Sequence, residues 1–577
     1  MQTQANEYLS PVLPMRQTPT LACRGTAAVA EQLRLLTANR PQLTVVAECY
    51  PGTDQSEILS LFAGCGFDTV LHADDCALDP PQLDDALARD LTDDRVFGVM
   101  TTRTLADYFC ADRLAQARQR AAQGRRVLVY GVGATLVAQG DLLLYADITR
   151  WEIQLRYRRG LANWRTAQTD LPRLAKYKRG FFAEWRWADK VKKQVLPHMD
   201  LYLDTTTEGT PALLDGNAYR DALAELAARP LRMAPYYDPG VWGGHWMKNT
   251  FDLPENGSNY AWSFDGVPEE NSLLLGFGPI TIQTPAINLV FSQPKALLGE
   301  RVYARFGAEF PIRFDLLDTV GGQNLSLQVH PLTEYIQDNF NMRYTQDESY
   351  YILDAQGVDA AVWLGLRENA DPQAMGKALY AAQRGESAFP AQDFVNKFPV
   401  KKHDHILIPA GTVHGAGAGT MVLEISATPY IFTFKLWDWG RVDLDGKPRP
   451  IHLAHGLANI QWERTTPWVE SHLLHQDRTI YESETCTVER TGLDEREFID
   501  TYRITTTGTA PIQRNGSVHM LNLVEGCEVQ ITSPTGRFDP FTVHYAQTFI
   551  LPQDAGEYQI VSPAGETVRV ILACVRE

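Results

Sequence analysis

The sequence predicts a multidomain protein in which a doubly wound α/β domain is followed by a β-barrel and by a second, smaller β-barrel. The chain has 577 residues, more than one hydrophobic core normally organises. Up to about residue 235, short apolar runs alternate with helical stretches, which is typical of a mainly parallel sheet covered by helices. Beyond that point, short β-branched and aromatic runs are separated by Gly, Pro and Asp. We therefore place the domains at residues 1–235, 236–465 and 466–577.

In the first domain, short runs rich in Val, Leu, Ile and Ala predict the strands, and longer stretches rich in Ala, Gln and charged residues predict the helices. The expected strands are Thr44–Glu48, Asp68–Ala73, Val96–Met100, Arg126–Gly131, Leu142–Ile148 and Leu201–Asp204. The expected helices include Gln55–Ala63 and Ala106–Gln123. This order of elements favours a sheet with helices on both faces.

The rest of the chain contains strand-like runs such as SLQVHP, YYILDA, HILIPAGTVH and TMVLEIS. We expect helical interruptions around Pro390–Phe398 and Ile451–Ile460. From Trp468 to the end, strand-like runs return, including VHMLNLVEG, QTFILP and TVRVILACV, and these form the predicted second barrel.

The composition limits the classes of function. The formal net charge of -17 does not fit a nucleic-acid-binding protein, which needs a concentrated basic face. The first residues lack the positive leader and apolar core of a signal peptide, and no run reaches the roughly 18 apolar residues of a membrane span. The eight cysteines are scattered without a C-x-x-C pair. We expect a cytoplasmic protein with reduced thiols and without a nucleic-acid or membrane partner.

Four residues form a candidate metal site. Gln328 and His330 are two apart in SLQVHP, so on a strand both side chains leave the same face. Glu348 begins the next strand-like run, and His414 follows the turn in IPAGTVHGAG. Two imidazoles, a carboxylate and an amide oxygen suit zinc or another borderline divalent ion, with a position left for water or substrate. We expect His403, His405, His452 and His455 to lie outside this site, on exposed or helical positions.

Six sequence blocks resemble, in order, blocks of the class I mannose-6-phosphate isomerases. They are VWGGHWMKNTFDLP, ERVYARFGAEFPIRFDLLD, NLSLQVHP, DESYYIL, IPAGTVHGAGAGTMVLEIS and KLWDWGRVDLDGKPRPIH. The resemblance covers the chain from about residue 236 and implies a metal-binding cupin barrel followed by a smaller cupin-like barrel. It also implies one zinc ion per chain, with ligand positions that match Gln328, His330, Glu348 and His414.

The expected substrate contacts depart from this family. Lys435 occupies the place of an arginine that the family has before an aspartate–tryptophan pair, here Asp438 and Trp439. A lysine expected shortly before the glutamate ligand is replaced by Gln346-Asp347. Lys435 and Arg441 are the candidate catalytic residues.

Two interpretations are open for Arg441 and Lys447. They can bind a phosphate, or they can belong to a charged hairpin turn at Asp445–Gly446.

The first domain lies outside the isomerase resemblance. Its segment Val127–Val137 has the strand, glycine turn and helix of a phosphate loop but lacks the lysine of a Walker motif. Ten basic residues follow within a short stretch: Arg156, Arg158, Arg159, Lys176, Lys178, Arg179, Arg186, Lys190, Lys192 and Lys193. The region loosely resembles the lid of P-loop nucleoside kinases, although this chain lacks their complete nucleotide-binding motif. Alternatively, these residues cover a solvated helix or contact the acidic β-domains.

Three functions follow from these patterns. The first is a metal-dependent aldose–ketose isomerase that interconverts mannose 6-phosphate and fructose 6-phosphate, or a related sugar phosphate, through an enediol. The second is a non-catalytic protein that binds a sugar or its phosphate and signals through a regulatory N-terminal domain. The third is a bifunctional enzyme with an N-terminal kinase, against which the missing Walker lysine counts. In each case the partner is a phosphorylated sugar, and a homo-oligomer is compatible with the sequence.

Overall fold

A computed structural model describes residues 8–254, 259–428, 430–442, 446, 449–492 and 494–577. The chain divides into two compact units. The α/β unit comprises Val12–Leu226 and Glu269–Gln293, and the β unit comprises residues 8–11, Ala227–Pro268 and Pro294–Glu577. The segment Glu269–Gln293 therefore groups with the N-terminal part of the chain.

The helices and strands up to residue 226 all belong to the α/β unit. They are β1 (Val12–Pro14), β2 (Ala22–Arg24), α1 (Thr26–Thr37), β3 (Leu43–Cys49), α2 (Gln55–Leu61), β4 (Thr69–His72), α3 (Pro80–Leu91), α4 (Ala111–Gln123), β5 (Arg126–Gly131), α5 (Ala134–Val137), β6 (Leu142–Asp147), α6 (Arg150–Arg158), α7 (Arg173–Arg179), α8 (Trp185–Val195), β7 (Leu201–Asp204), β8 (Ala212–Asp215) and α9 (Gly216–Leu226). No described helix of the chain has the length and apolar character needed to cross a membrane.

Two sheets organise the α/β unit. The larger has seven strands in the order β2-β8-β7-β6-β3-β5-β4, and the five strands from β7 to β4 are parallel. Connections run in both directions from β3, so the sheet is doubly wound, as the sequence predicts. Strand β7 is buried at every residue, which is expected of a strand with both faces covered. The smaller sheet consists of β1 and two strands from the segment Glu269–Gln293.

The elements beyond residue 226 are mostly strands. They are β9 (Tyr236–Asp238), α10 (Trp246–Phe251), β10 (Trp262–Gly266), β11 (Ser272–Phe277), β12 (Ile280–Pro285), α11 (Ile287–Ser292), α12 (Pro294–Leu298), α13 (Glu300–Phe306), β13 (Ile312–Asp318), β14 (Leu327–Val329), α14 (Thr333–Phe340), β15 (Glu348–Ala355), β16 (Ala361–Leu366), α15 (Pro372–Gln383), α16 (Ala391–Phe394), β17 (Val395–Pro399), β18 (His405–Ile408), β19 (His414–Ala416), β20 (Thr420–Ala427), β21 (Phe434–Trp437), α17 (Leu453–Asn459), α18 (Thr466–His472), β22 (Arg478–Glu482), β23 (Cys486–Arg490), β24 (Ile499–Thr506), β25 (Thr509–Ile512), β26 (His519–Glu525), β27 (Glu528–Thr532), β28 (Phe541–His544), β29 (Thr548–Leu551), β30 (Tyr558–Val561) and β31 (Val568–Val575). Strands β11 and β12 join β1 in the smaller sheet of the α/β unit.

Four sheets build the β unit. The first pair has the orders β18-β15-β20-β13-β10-β9 and β17-β16-β19-β14-β21. The second pair has the orders β22-β23-β24-β31-β26-β29 and β25-β30-β27-β28. Leu521, Val529, Ile560 and Leu572 belong to one apolar cluster drawn from both sheets of this second pair. The mixed α/β and all-β class predicted from the sequence is confirmed.

Three predicted elements differ from the structure. Val96–Met100 forms no strand, because its N–H groups bind elsewhere: Val96 and Phe97 donate to the Asp94 side chain, and Val99 donates to the carbonyl oxygen of Asp90. The helix expected to begin at Ala106 begins at Ala111, since Thr104 caps a separate helical turn at Leu105–Tyr108. The segment Pro390–Phe398 is split between the short helix α16 and strand β17, whereas Ile451–Ile460 does contain a helix, α17.

A buried ion pair closes the carboxyl edge of the parallel sheet. Lys192 Nζ lies 3.0 Å from Asp147 Oδ1, and both side chains are at most 1% exposed. Asp147 also accepts hydrogen bonds from Tyr202 and from Asn288, which lies on the returning segment. Strands β3 and β6 flank the point where the connections change direction, where doubly wound sheets usually bind ligands. Here helix α8 supplies a side chain to that edge.

We expect Lys192→Met to destabilise the α/β unit, because the substitution leaves the Asp147 carboxylate buried and unpaired. Breaking such a pair typically costs about 3–5 kcal/mol. Hydrogen exchange followed by mass spectrometry should show faster exchange in peptides from β6 and β7. Peptides from β24 and β31 are the internal control. Unchanged exchange in β6 and β7 would contradict a stabilising role for this pair.

Candidate metal centre

The four predicted metal ligands lie on strands from both sheets of the first pair. Gln328 is in β14, and His330 directly follows that strand. Glu348 begins β15, and His414 begins β19. Gln328 and His414 are direct partners in the antiparallel pairing of β14 with β19. The strand pairing thus brings together residues that are far apart in the sequence.

Three of these residues form a compact donor cluster. His330 Nε2 lies 2.9 Å from Glu348 Oε2, and His414 Nε2 lies 3.0 Å from Glu348 Oε1. One potential ligand atom from each residue falls within 4.8 Å of the others. All three side chains are at most 1% exposed. Such a cluster of buried donors is suited to a single cation.

Backbone carbonyls fix the orientation of both histidines. His330 Nδ1 lies 3.1 Å from the carbonyl oxygen of Phe432, and His414 Nδ1 lies 2.9 Å from that of Thr412. A carbonyl oxygen only accepts, so each Nδ1 carries a proton and donates it. Each ring then points its Nε2 at Glu348, and an imidazole held in this way can offer its Nε2 lone pair to a metal ion, as metal-binding histidines do.

The short contacts with Glu348 are not hydrogen bonds. Among the described residues, His330 Nε2 and Glu348 Oε1 have no hydrogen-bond partner, although both atoms are buried. Lone pairs that face a carboxylate in a dry interior repel one another unless a cation lies between them. The donor set and its unsatisfied atoms therefore fit a divalent metal ion.

Gln328 can complete the ligand set. Its Nε2 lies 3.2 Å from His414 Nε2, while Ser326 donates a hydrogen bond of 2.9 Å to its Oε1. A half-turn of the amide places the oxygen on the histidine side, and Ser326 Oγ then accepts from the amide nitrogen. Gln328 is thereby able to offer an amide oxygen to a metal.

A buried polar network adjoins the donor cluster. Its members Arg313 and Glu424 were not predicted as site residues. Gln346 donates to Glu348 Oε2 at 3.0 Å and to Glu424 Oε1 at 3.4 Å. Arg313 donates to Asp315 at 2.7 Å and also binds Glu424. All of these side chains are buried. The available signal was the presence of charged residues in two strand-like runs, three in PIRFDLLD and one in TMVLEIS, since charged residues are rarely buried without partners.

Burial changes the ionisation of the two carboxyl groups in this network. Burial raises the pKa of Glu424 well above its ordinary value, and the neighbouring Asp315 and Glu348 act in the same direction. Burial likewise raises the pKa of Asp315 to about 6, although Arg313 opposes the shift. Glu424 therefore lies beside the donor cluster, and its carboxyl group readily holds a proton.

The structure places Lys435 next to the predicted ligands. Lys435 lies on β21 as the direct partner of Gln328, on the side of β14 opposite His414. Directly paired residues share one face of a sheet, so Lys435 faces the same side as Gln328. Its side chain is half-buried.

Arg441 is held by an ion pair beyond the end of β21. It binds the Asp438 carboxylate and donates to the carbonyl oxygen of Asn324 at 2.7 Å. Arg449 Nε lies 3.0 Å from the other Asp438 oxygen, so two guanidinium groups flank one carboxylate. Arg449 was not predicted as a site residue. Lys447 and Asp445 lie outside the described residues.

The four histidines expected outside the site have other partners. His405 lies on buried strand β18 rather than on an exposed or helical position, and its Nε2 is 2.8 Å from Ser349 Oγ. Burial lowers the pKa of His405 to about 3. His403 contacts Tyr351, and His455 on α17 contacts Tyr335. His452 precedes α17.

In the α/β unit, a carboxylate occupies the predicted phosphate loop. Gly133 and Thr135 donate their backbone N–H groups to Glu48 at 2.7 Å each, and the Thr135 hydroxyl donates at the same distance. Asp54 similarly accepts from Ser56 and Glu57 at the start of α2. These amides are therefore already satisfied.

Half of the predicted basic cluster is buried in the α/β unit. Buried members are Arg156, Lys176, Lys178, Arg179 and Lys192. Arg179 pairs with Asp84 and Glu184, and Lys178 donates to the carbonyl oxygen of Asp94. These residues therefore do not cover a solvated helix, and the nucleoside-kinase resemblance is not shown.

Comparisons with known proteins separate the two parts of the chain. Residues 25–228 match a family described as a domain of unknown function, DUF8485. Mannose-6-phosphate isomerase ManA from Bacillus subtilis is 25% identical over 308 residues, which cover 52% of this chain and 87% of that protein. Mannose-6-phosphate isomerase from Streptococcus mutans is 23% identical over 232 residues, covering 40% of this chain and 67% of that protein.

Solved structures of isomerases also resemble the chain. The mannose 6-phosphate isomerase from Bacillus subtilis has a TM-score of 0.48 at 19% identity and covers 60% of this chain and 99% of its own. A phosphomannose isomerase variant from Salmonella typhimurium has a TM-score of 0.47 at 14% identity and covers 61% of this chain and 100% of its own. The sequence match to ManA, and not these structures, makes about half of this chain homologous, at low identity, to mannose-6-phosphate isomerases.

We expect His414→Ala to abolish stoichiometric metal binding, because it removes one of the two imidazoles that face Glu348. Metal content should be measured by mass spectrometry of protein loaded with zinc and then desalted. His405→Ala is the matched control, since His405 is also a buried strand histidine but binds Ser349. A folded His414→Ala protein that retains the wild-type metal content would contradict the ligand assignment.

Proposed function

We propose that the chain is a metal-dependent aldose–ketose isomerase that interconverts mannose 6-phosphate and fructose 6-phosphate or a closely related sugar phosphate. The observation that carries this proposal is the buried cluster of His330, Glu348 and His414 beside the acidic group of Glu424. The homology to mannose-6-phosphate isomerases supports the choice of substrate. The nitrogen and oxygen donors favour zinc among the common divalent ions.

The reaction requires two chemical tasks. A proton moves between C1 and C2 of the sugar, and the oxyanion that develops on the neighbouring oxygen is stabilised. When bound, the metal ion supplies Lewis-acid stabilisation of that charge. His330, Glu348, His414 and Gln328 hold it in place.

Glu424 is the residue that we assign to proton transfer. Its carboxyl group is linked to Glu348 through Gln346 and to Asp315 through Arg313. Burial and neighbouring carboxylates raise its pKa, which suits a group that both accepts and returns a proton. Arg313 orients the carboxyl group by hydrogen bonding to one of its oxygens.

We assign the binding of the substrate's phosphate to Lys435 on β21 and to Arg441 and Arg449, which follow that strand. Lys435 is the strand partner of the proposed ligand Gln328, so its ammonium group could bind the phosphate of a sugar held beside the donor cluster. Among the described residues, Arg441 and Arg449 share one carboxylate, that of Asp438, which leaves positive charge for an anion. Arg449 Nη1 has no hydrogen-bond partner among the described residues.

We expect zinc-loaded protein to form fructose 6-phosphate from mannose 6-phosphate, and chelator-treated protein to be inactive until zinc is restored. A coupled assay on the two preparations tests this directly. Metal-bound protein that binds mannose 6-phosphate without turnover would contradict the isomerase and favour the sugar-phosphate sensor. Free mannose is the control for the phosphate requirement.

We expect Glu424→Gln to lower kcat by about 10²- to 10⁴-fold, which is the usual contribution of a general acid–base group. Metal content should remain that of the wild type, because Glu424 is not among the proposed ligands. The coupled assay and metal analysis on the same sample distinguish these effects. Glu470→Gln removes an exposed carboxylate and should leave kcat unchanged. A fully active Glu424→Gln protein would sink the assignment of Glu424 as the proton-transfer group.

A further inference from the structure

The strand β22 lies at the edge of a sheet and is exposed at every residue. It is the terminal strand in the order β22-β23-β24-β31-β26-β29. All five of its residues, Arg478–Glu482, are exposed, which holds for no other strand in the described part of the chain. Ile480 is 56% exposed and Tyr481 is 53% exposed. An exposed edge of this kind presents backbone N–H and C=O groups that can pair with another strand.

The outer side of β22 offers backbone groups for such pairing. On its inner side β22 pairs antiparallel with β23, and the register shifts between Thr479 and Tyr481, which leaves Ile480 without a direct partner on β23. Among the described residues, no backbone hydrogen bond reaches β22 from the outer side. The edge is therefore available to another strand.

The start of β22 is fixed to the barrel. Asp477, which precedes the strand, accepts a hydrogen bond of 2.8 Å from Arg503 on β24. Arg503 also binds Glu489 on β23 at 2.7 Å. The guanidinium group of Arg503 on β24 thus links the start of β22 to β23 and β24. The edge is held in position before any partner binds, which reduces the entropy lost on pairing.

The sequence of β22 is complementary to itself. In an antiparallel pairing centred on Ile480, Arg478 faces Glu482 of a second copy, and Glu482 faces Arg478 of that copy. Thr479 faces Tyr481, and Ile480 faces Ile480. Opposite charges and β-branched or aromatic pairs at facing positions stabilise neighbouring antiparallel strands. A parallel pairing in register would instead place like charges together.

We propose that β22 forms a two-fold symmetric interface with a second copy of this chain, so that the two edge strands join their sheets. A two-fold axis through Ile480 repeats each contact once, as an isologous dimer requires. The two Arg478–Glu482 pairs set the antiparallel register. Because they are exposed, the association weakens as salt concentration rises.

Sedimentation of the full chain over a range of protein concentrations tests this interface. We expect the wild type to form a dimer, and Arg478→Glu to lose it, because two glutamates then face each other at both ends. The double variant Arg478→Glu with Glu482→Arg should restore the dimer by reversing both pairs. Circular dichroism checks that each variant is folded. Val358→Lys, which changes a fully exposed residue outside the strand, is the control.

Disulfide formation tests the register independently. Facing Cα atoms in an antiparallel pair lie about 4.5–5.5 Å apart, within the range that a disulfide spans. Ile480→Cys, made together with Cys527→Ser to remove an exposed thiol, should therefore cross-link to a second copy under mild oxidation. Val442→Cys in the same background should not cross-link.

Three outcomes would overturn the proposal. They are a wild type that sediments as a monomer at every concentration, a dimer that survives Arg478→Glu, and a folded double reversal that stays monomeric. A wild type that stays monomeric and whose β22 edge binds a strand of a different protein would also contradict the proposed dimer.

Discussion

The carboxylate of Glu348 is the constraint on which the candidate site depends. It is fully buried and lies about 3 Å from the Nε2 atoms of His330 and His414. Since backbone carbonyls accept hydrogen bonds from Nδ1 of both rings, each Nε2 faces the carboxylate, and a cation bound between them would satisfy all three groups. The pairing of β14 with β19, and the position of β15 in the other sheet, create this geometry. The Arg313–Glu424 network then supplies a second ionisable group beside it.

The ligand positions could be predicted only in part from local sequence. Gln328 and His330 are two residues apart on a strand, so their common face follows from strand geometry alone. Glu348 and His414 come from distant strands, and it was the family resemblance that joined them to the pair. The Arg313–Glu424 network was missed because the sequence does not reveal the strand register, which places Glu424 directly opposite Asp315 and diagonally opposite Arg313. Lone charges in apolar strands are equally compatible with exposure at an edge.

The apolar runs of the sequence predicted most strands of the α/β unit. The contacts made by its loops could not be predicted in this way. The segment around Gly133 has the pattern of a phosphate loop, but its amides bind Glu48, a residue 85 positions earlier. No local motif encodes such a tertiary contact. In the same way, Val96–Met100 has strand-like composition but no neighbouring strand. Composition indicates which segments prefer an extended chain, and tertiary pairing decides which of them become strands.

X-ray absorption at the zinc edge, on protein loaded with one equivalent of zinc, tests directly whether Glu348 and the two histidines bind the metal. We expect a first shell of nitrogen and oxygen at about 2.0–2.2 Å, with the multiple scattering of two imidazoles and no sulfur. Replacing His330 by alanine should remove one imidazole contribution. A shell containing sulfur at about 2.3 Å, or a shell of oxygen without imidazole, would contradict the proposal that Glu348 and the two histidines bind the metal.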